Sequence, residues 1–236
     1  MDIKNLEHFV IENYSFLLIG NLFQGILHNI NGPLQTLTMQ CDMCKIEYEK
    51  YIKDASVLMP EFKEKFRKKC DNFEKELNKL KDITSNIGFK RPESSKKPIL
   101  ISLMLKNCLK FWDADLFFKH QIKINLNLPV KEIYFISDEF KFIDIIDACI
   151  FLSIDSLKKA KEEGIDALSL DISFHLNQDN HNIKTLIIQN NAKNIEFDEF
   201  PSVFSLSSIS GFIINYFSKD LGIKTEIIGN AFKIEF

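Results

Sequence analysis

The chain has no basic surplus. Its formal net charge is −3 over 236 residues, so the electrostatic footprint of a nucleic-acid binder is missing and no nucleic-acid partner is expected. The start, MDIKNLEHFV, lacks the basic n-region and apolar core of a signal peptide. The apolar run around Phe16–Phe23 is broken by Gly20 and Asn21 and reads as too short to span a bilayer. A cytoplasmic protein with reduced cysteines and no membrane partner is therefore expected. Cys41 and Cys44 form a C-x-x-C, but no second pair stands at zinc-site spacing. Both continue the apolar stripe of one helix, so buried thiols are expected there and no metal. His8, His120, His175 and His181 have no acid or cysteine partner at catalytic or metal spacing and read as surface or strand residues. No Ser-His-Asp signature, internal repeat or low-complexity tract occurs. Glu196, Asp198 and Glu199 read as a solvated acidic loop.

What is present is enough for a packed protein: 45% of residues are hydrophobic and 27% charged. From about Glu12 to Gly88 the period is helical, with one interruption near DASVLMP, where Pro60 suits the first turn of a new helix. In the second helix Phe62, Phe66, Cys70, Phe73, Leu77, Leu80 and Ile83 recur at spacings of three and four. Two long helices with a short connection form an antiparallel hairpin. Its one wide apolar stripe has little to pack against, so a homodimer closing a four-helix bundle is expected. KRPESSKKP (90–98) reads as a linker. Beyond it helical and alternating patterns interchange, ending in a hairpin with Gly229-Asn230 at its turn. The expected fold is α+β: a helical hairpin over 1–89, the linker 90–98, and an α/β sandwich over 99–236 with one mixed sheet and helices on one face.

One stretch contradicts itself. In FQGILHNINGPLQTL (23–37) the residues Phe23, Leu27, Ile30, Leu34 and Leu37 trace one helix face, yet Asn31-Gly32-Pro33 is a turn signal. At about 100° per residue, His28 lies roughly 140° from the centre of that face and should meet solvent. Taken in order, HNINGPLQTL resembles the phosphoacceptor box of bacterial sensor histidine kinases, and GFKRPESSKKPILISLML resembles the hinge into their ATP-binding domain. SDEFKFIDIIDACIFLSIDSLKKA resembles that domain's Asn-bearing helix, LIIQNNAKNI stands where its Asp-x-Gly-x-Gly box belongs, and SSISGFIINYFSKDLGIKTEIIGNAFKIEF resembles its last helix and hairpin. The resemblance covers nearly the whole chain from about Phe16. It implies a phosphoacceptor helix that bends after the histidine and continues, because Pro33 cannot donate to the carbonyl of Asn29. It also implies that the sandwich is of the histidine-kinase ATPase type.

The departures from the family pattern are specific. The acidic residue after the histidine is Asn29, which hydrogen-bonds but is no base at neutral pH. The water-positioning Thr or Asn three further on is Gly32. The two Asn of the Asn-bearing helix align with Phe151 and Asp155, and Phe151 offers magnesium no oxygen. The adenine-reading Asp aligns with Asn190, and the two glycines of that box become Ala192 and Asn194. The phosphate loop reads SLSSISGF, with only Gly211 left. Phe151 and Ile213 are expected to pack the former pocket, and no ATP or magnesium is expected as a cofactor.

Two functions fit these residues. In the first, a histidine phosphotransferase, His28 carries a phosphoryl group between response-regulator receiver domains, Asn29 orients the ring, and Asn31, Gln35 and Thr38 dock the receiver, which supplies the magnesium. In the second, an inactive pseudokinase sequesters a regulator or kinase by the same face. A divergent active kinase ranks below both. With no sensor segment ahead of the hairpin, the input is expected through a partner.

Overall fold

A computed structural model describes residues 3–53, 59–88, 96–176, 184–192 and 205–236. The elements are α1 (Ile3–Lys53), α2 (Met59–Gly88), β1 (Lys96–Leu100), α3 (Ile101–Trp112), α4 (Leu116–Gln121), β2 (Ile122–Asn127), β3 (Tyr134–Asp138), α5 (Glu139–Glu162), β4 (Leu168–Leu176), β5 (Lys184–Asn190), α6 (Leu206–Leu221), β6 (Lys224–Ile228) and β7 (Ala231–Glu235). The fold is α+β, as the pattern implies. α1 begins at Ile3, earlier than the expected Glu12, and passes through Pro33 without ending.

The chain divides into two compact units, and the division falls inside α1. Met1–Leu22 groups with Phe89–Phe236, and Phe23–Gly88 forms the other unit. This differs from the expected boundaries of 1–89 and 99–236. The cause is a line of residues at spacings of four, Val10, Tyr14, Leu18 and Leu22, all buried. Removing Val10, Leu18 and Leu22 from water contributes about 1.5–3 kcal/mol each.

In the larger unit the expected single sheet is two. β1 pairs antiparallel with β3 from Lys96↔Asp138 to Leu100↔Tyr134. The main sheet has the order β2-β4-β5-β7-β6, with β2 parallel to β4 and the other pairs antiparallel. β1 starts inside the stretch read as linker 90–98. Pro98 lacks an N–H and suits a strand with only one neighbour. Along β4 the buried residues Leu168, Leu170, Ile172 and Phe174 alternate with half-buried ones, the period-two signature of a sheet covered on one face. α5 packs on β4 and β5, with α3 and α6 beside it. Enclosed on several sides, α5 is apolar around most of its circumference, and Phe142, Ile143, Ile145, Ile146, Ile150 and Leu157 are all fully buried. Gly222, in the left-handed conformation, ends α6, and Gly229, also left-handed, sits at the turn between β6 and β7.

In the smaller unit Lys69 of α2 bridges Glu47 of α1 at 2.6 Å. The apolar stripe that the sequence places at the centre of this hairpin is largely open in the single chain: Phe23, Leu27, Leu34, Phe66 and Leu77 are exposed. Cys41 and Cys70 are exposed and Cys44 is half-buried, which corrects the expectation of buried thiols at the C-x-x-C; only Cys108 and Cys149 are buried. The thiols follow the stripe, and the stripe is uncovered. Among the described residues no His, Cys, Asp and Glu cluster could hold a metal ion.

The expectation of an apolar run too short for a bilayer also needs correction. Because α1 does not stop at Gly20 and Asn21, its Glu7–Glu49 part is long and apolar enough to cross a membrane by length and composition alone. A core helix of a soluble protein passes the same test, and α1 seats Tyr14 and Ser15 in a protein interior.

Candidate functional site

His28 is exposed on α1, and Asn29 beside it is half-buried. Pro33 is buried and the helix runs on past it, with Thr36 Oγ1 donating to the carbonyl of Gly32 at 3.1 Å and Thr38 Oγ1 to that of Leu34 at 2.9 Å. These hydroxyl bonds to carbonyls four residues back are typical of bent helices. Gly32 has none of the left-handed backbone that would demand glycine, and a Cβ added there meets nothing within 4 Å. Packing therefore does not impose the missing side chain.

One turn past His28 an open groove of about 480 Å³ begins. Asn31, Gln35 and Thr38, the three residues read as docking positions, all line it, together with Leu34, Met39 and Met43. At about 100° per residue, positions 28, 31, 35 and 38 fall on one side of the helix. His28 does not line this open depression but stands one turn ahead of it on the same side of α1; the lining, all from α1, offers amides, a hydroxyl, the Asp42 carboxylate and flexible apolar side chains.

The residues aligned with a nucleotide site lie in the α/β unit. Phe151 of α5 is half-buried with its ring 6.2 Å from that of Trp112. Asp155, one turn further, pairs with Lys159 at 3.2 Å and accepts from Ser207 Oγ of α6 at 3.3 Å. The serine stretch is the start of a helix and not a loop: Ser205 caps α6, its side chain accepting from the Ser208 N–H at 3.1 Å. Gly211 is buried within α6, as is Ile213. Asn190 is fully buried, and its Oδ1 accepts from the Ala192 N–H at 2.9 Å. Its Nδ2 finds no partner among the described residues. Asn194, His181, Glu196, Asp198 and Glu199 lie outside the described residues. Of the remaining histidines, His8 pairs with Glu12 at 3.2 Å, His120 is exposed, and His175 meets Ser173 Oγ at 3.0 Å.

A buried polar cluster was missed by the sequence reading. The Tyr14 hydroxyl meets Ser210 Oγ at 2.8 Å, Ser15 Oγ donates to Asp144 Oδ1 at 2.9 Å, and Trp112 Nε1 donates to Asp147 Oδ1 at 3.0 Å. Tyr14, Trp112, Asp144, Asp147 and Ser210 are all fully buried. The available signal was the pair of acids inside the apolar run FIDIIDACI, since buried carboxylates require hydrogen-bond partners.

Burial pushes the Tyr14 phenol well above its ordinary value of 10.0; the Ser210 bond opposes this, and Asp144 and Asp147 add to it. A raised folded-state pKa means that the neutral phenol's contribution is complete below pH 10 and is lost as pH rises through and beyond it. Cys149 is raised from 9.0 by burial and by Asp147, and begins a similar loss earlier. Thermal unfolding followed from pH 8 to 11 should therefore show an alkaline decline in the wild type. In Tyr14→Phe the part above pH 10 should be shallower, while the part that belongs to Cys149 stays.

No family model and no curated protein matches the sequence. Solved structures do. The chain is similar to the Acinetobacter baumannii histidine kinase AdeS at 15% identity, over 89% of this chain and 96% of that one, with a TM-score of 0.45. It is similar to the mycobacterial sensor histidine kinase MprB at 12% identity, over 60% and 97%, with a TM-score of 0.43. A bacterial phosphotransferase matches at 7% identity over 93% and 95%, with a TM-score of 0.41. At identities of 7% to 15% such likenesses carry no chemistry, which has to come from this chain's own side chains.

Proposed function

We propose that the protein is a two-component signalling protein that works as a histidine phosphotransferase, accepting a phosphoryl group from a receiver-domain aspartate on His28 and returning it to another receiver. The observation that carries this reading is the exposed His28, one turn before and on the same side of α1 as a surface strip that presents Asn31, Gln35 and Thr38. The neutral imidazole's outer nitrogen attacks phosphorus, an N–P bond forms, and the acyl phosphate P–O bond breaks to leave the aspartate carboxylate. The ring sheds its other N–H proton to water, and the return step reverses this. In this proposal Asn29 keeps the ring oriented; no base is needed to free the attacking lone pair, which a neutral imidazole already carries, and no acid is needed because the departing carboxylate is a weak base. Such a relay belongs in the cytoplasm, where receivers are charged. The test is label transfer from aspartyl-phosphorylated receivers, with His28→Ala alongside.

ATP has no part in this proposal, because the aligned residues do not fit a magnesium nucleotide. Phe151 has no oxygen, Asp155 is engaged by Lys159 and Ser207, and the phosphate-loop position is a capped helix. The buried Asn190 amide supports no more than one contact to a base. One observation favours sequestration without chemistry: the residue beside His28 is Asn29, an amide in place of an acid.

We also propose a homodimer. Phe9, Phe16, Phe23, Ile30 and Leu37 repeat every seven residues along α1, with Leu27 and Leu34 four past two of them. Of these, Phe9, Phe16, Phe23, Leu27 and Leu34 are 42–54% exposed, a seam suited to a second copy. Leu27→Lys with Leu34→Lys should turn a dimer into a monomer in sedimentation while far-UV circular dichroism keeps its helical signal. A wild type that sediments as a monomer at tens of micromolar would end this part of the proposal.

A further inference from the structure

Tyr14 and Ser15 are neighbours in α1, about 100° apart around the helix. Each bonds a different helix of the sandwich: Tyr14 meets Ser210 of α6 at 2.8 Å, and Ser15 meets Asp144 of α5 at 2.9 Å. A helix held on both sides in this way lies in the groove between α5 and α6. Val10, Leu18 and Leu22 bury the same line at spacings of four, while Phe9 and Phe16 on the far side stay open. The sandwich's strands and its other helices all come from residue 96 onward, so this one segment enters it from 129 and 196 residues away in sequence.

The polar bonds select one register. Sliding the helix by one turn would set Val10 or Leu18 against Ser210 and Ile11 or Ile19 against the buried carboxylate of Asp144, leaving polar groups to face hydrocarbon. The same groups ease departure. When the helix leaves, Asp144 and Ser210 regain water, so the open groove is less costly than an exposed apolar surface of equal size.

We infer that the α5–α6 groove is a receptor site for an amphipathic helix with Tyr-Ser at its centre, that Val10–Leu22 is its resident ligand in cis, and that this ligand is released as a unit while the sandwich stays folded. The ligand is part of α1, whose sequence also carries His28.

Native-state hydrogen exchange on the full chain tests the release directly. In the wild type, amides of residues 10–22 should exchange at least ~10-fold faster than those of β4, β5 and α5, with a dependence on low denaturant that is shallower than for global unfolding, because release exposes only part of the apolar surface. Leu18→Asp should raise exchange in 10–22 by a further ~10-fold and leave β4 and β5 unchanged. A synthetic peptide of residues 7–25 with a photoreactive leucine at position 18 should then label α5 or α6 of the full-length Leu18→Asp protein. The same peptide carrying Tyr14→Phe and Ser15→Ala should label it several-fold less. If wild-type amides 10–22 exchange only together with β4 and β5, the segment is fixed core and the inference fails, whether or not the variant folds. Release without peptide labelling overturns the receptor site.

Discussion

A receiver domain charged on its aspartate with labelled phosphate should pass label to the wild-type protein and none to His28→Ala. The loss should be complete and not graded. The reaction needs a nitrogen lone pair at position 28, and alanine offers nothing to form the N–P bond. The variant should fold as well as the parent: His28 is exposed on a helix, and alanine is the best helix former. The label should be lost in acid and kept in base, as a phosphoramidate requires. Replacing Gln35 or Thr38, which line the groove without reaching the reacting atoms, should slow transfer by raising the receiver concentration it needs. Receivers that bind the wild type but never label it would reject the relay and favour sequestration, in which His28→Ala works as well as its parent.

The contrast with Gly32 is informative. In kinases that also dephosphorylate their receivers, the residue at this place positions a water; here a side chain would fit without a clash, yet none is present. Under the proposed relay the bare Gly32 is an advantage, because water held near a phosphoryl group is a route to its loss. Asn29 is consistent with the same division of labour, with the acid–base groups on the receiver.

The sandwich was legible because its signals are local. Alternation is plain in LSLDISFHL, the whole of β4, and Gly229-Asn230 marked the last turn. The exposure of His28 was legible for a related reason, since helix periodicity fixes which side a residue lies on; its reading as a phosphoacceptor rests on the resemblance of HNINGPLQTL. Periodicity does not say which side is covered. α1 has two apolar lines in its first half, Val10-Tyr14-Leu18-Leu22 and Phe9-Phe16-Phe23, and periodicity alone ranks neither above the other. In the single chain the first is buried and the second is open. Only tertiary contact, Ser210 from α6 and Asp144 from α5, distinguishes them, and nothing within α1 encodes that contact. The split of the main sheet from β1–β3 was hidden likewise. Strand pairing is a long-range choice, and Pro98 with two serines nearby reads as linker until β3 is placed beside it.

Magnesium and ATP at millimolar concentration should leave the melting temperature where it was. A ligand present at 100 times its Kd stabilises the folded state by about 2.7 kcal/mol. For a chain of this size that corresponds to a rise of roughly 5–10 °C, well within measurement. Three separate losses oppose it. Phe151, whose ring packs near Trp112, offers a metal no oxygen, and Asp155 is already held by Lys159 and Ser207. The phosphates meet a helix start already capped by Ser205. The base meets a buried Asn190 whose oxygen is taken by the Ala192 N–H. Because the losses are independent, restoring one should not restore binding. Phe151→Asn should lower the melting temperature by removing the contact with Trp112 and still show no response to nucleotide. A rise of several degrees in the wild type, dependent on magnesium, would overturn the ATP-independent proposal and favour a divergent active kinase. His28 would then be charged from nucleotide, and the transfer assay would give label from γ-phosphate-labelled ATP with no receiver present.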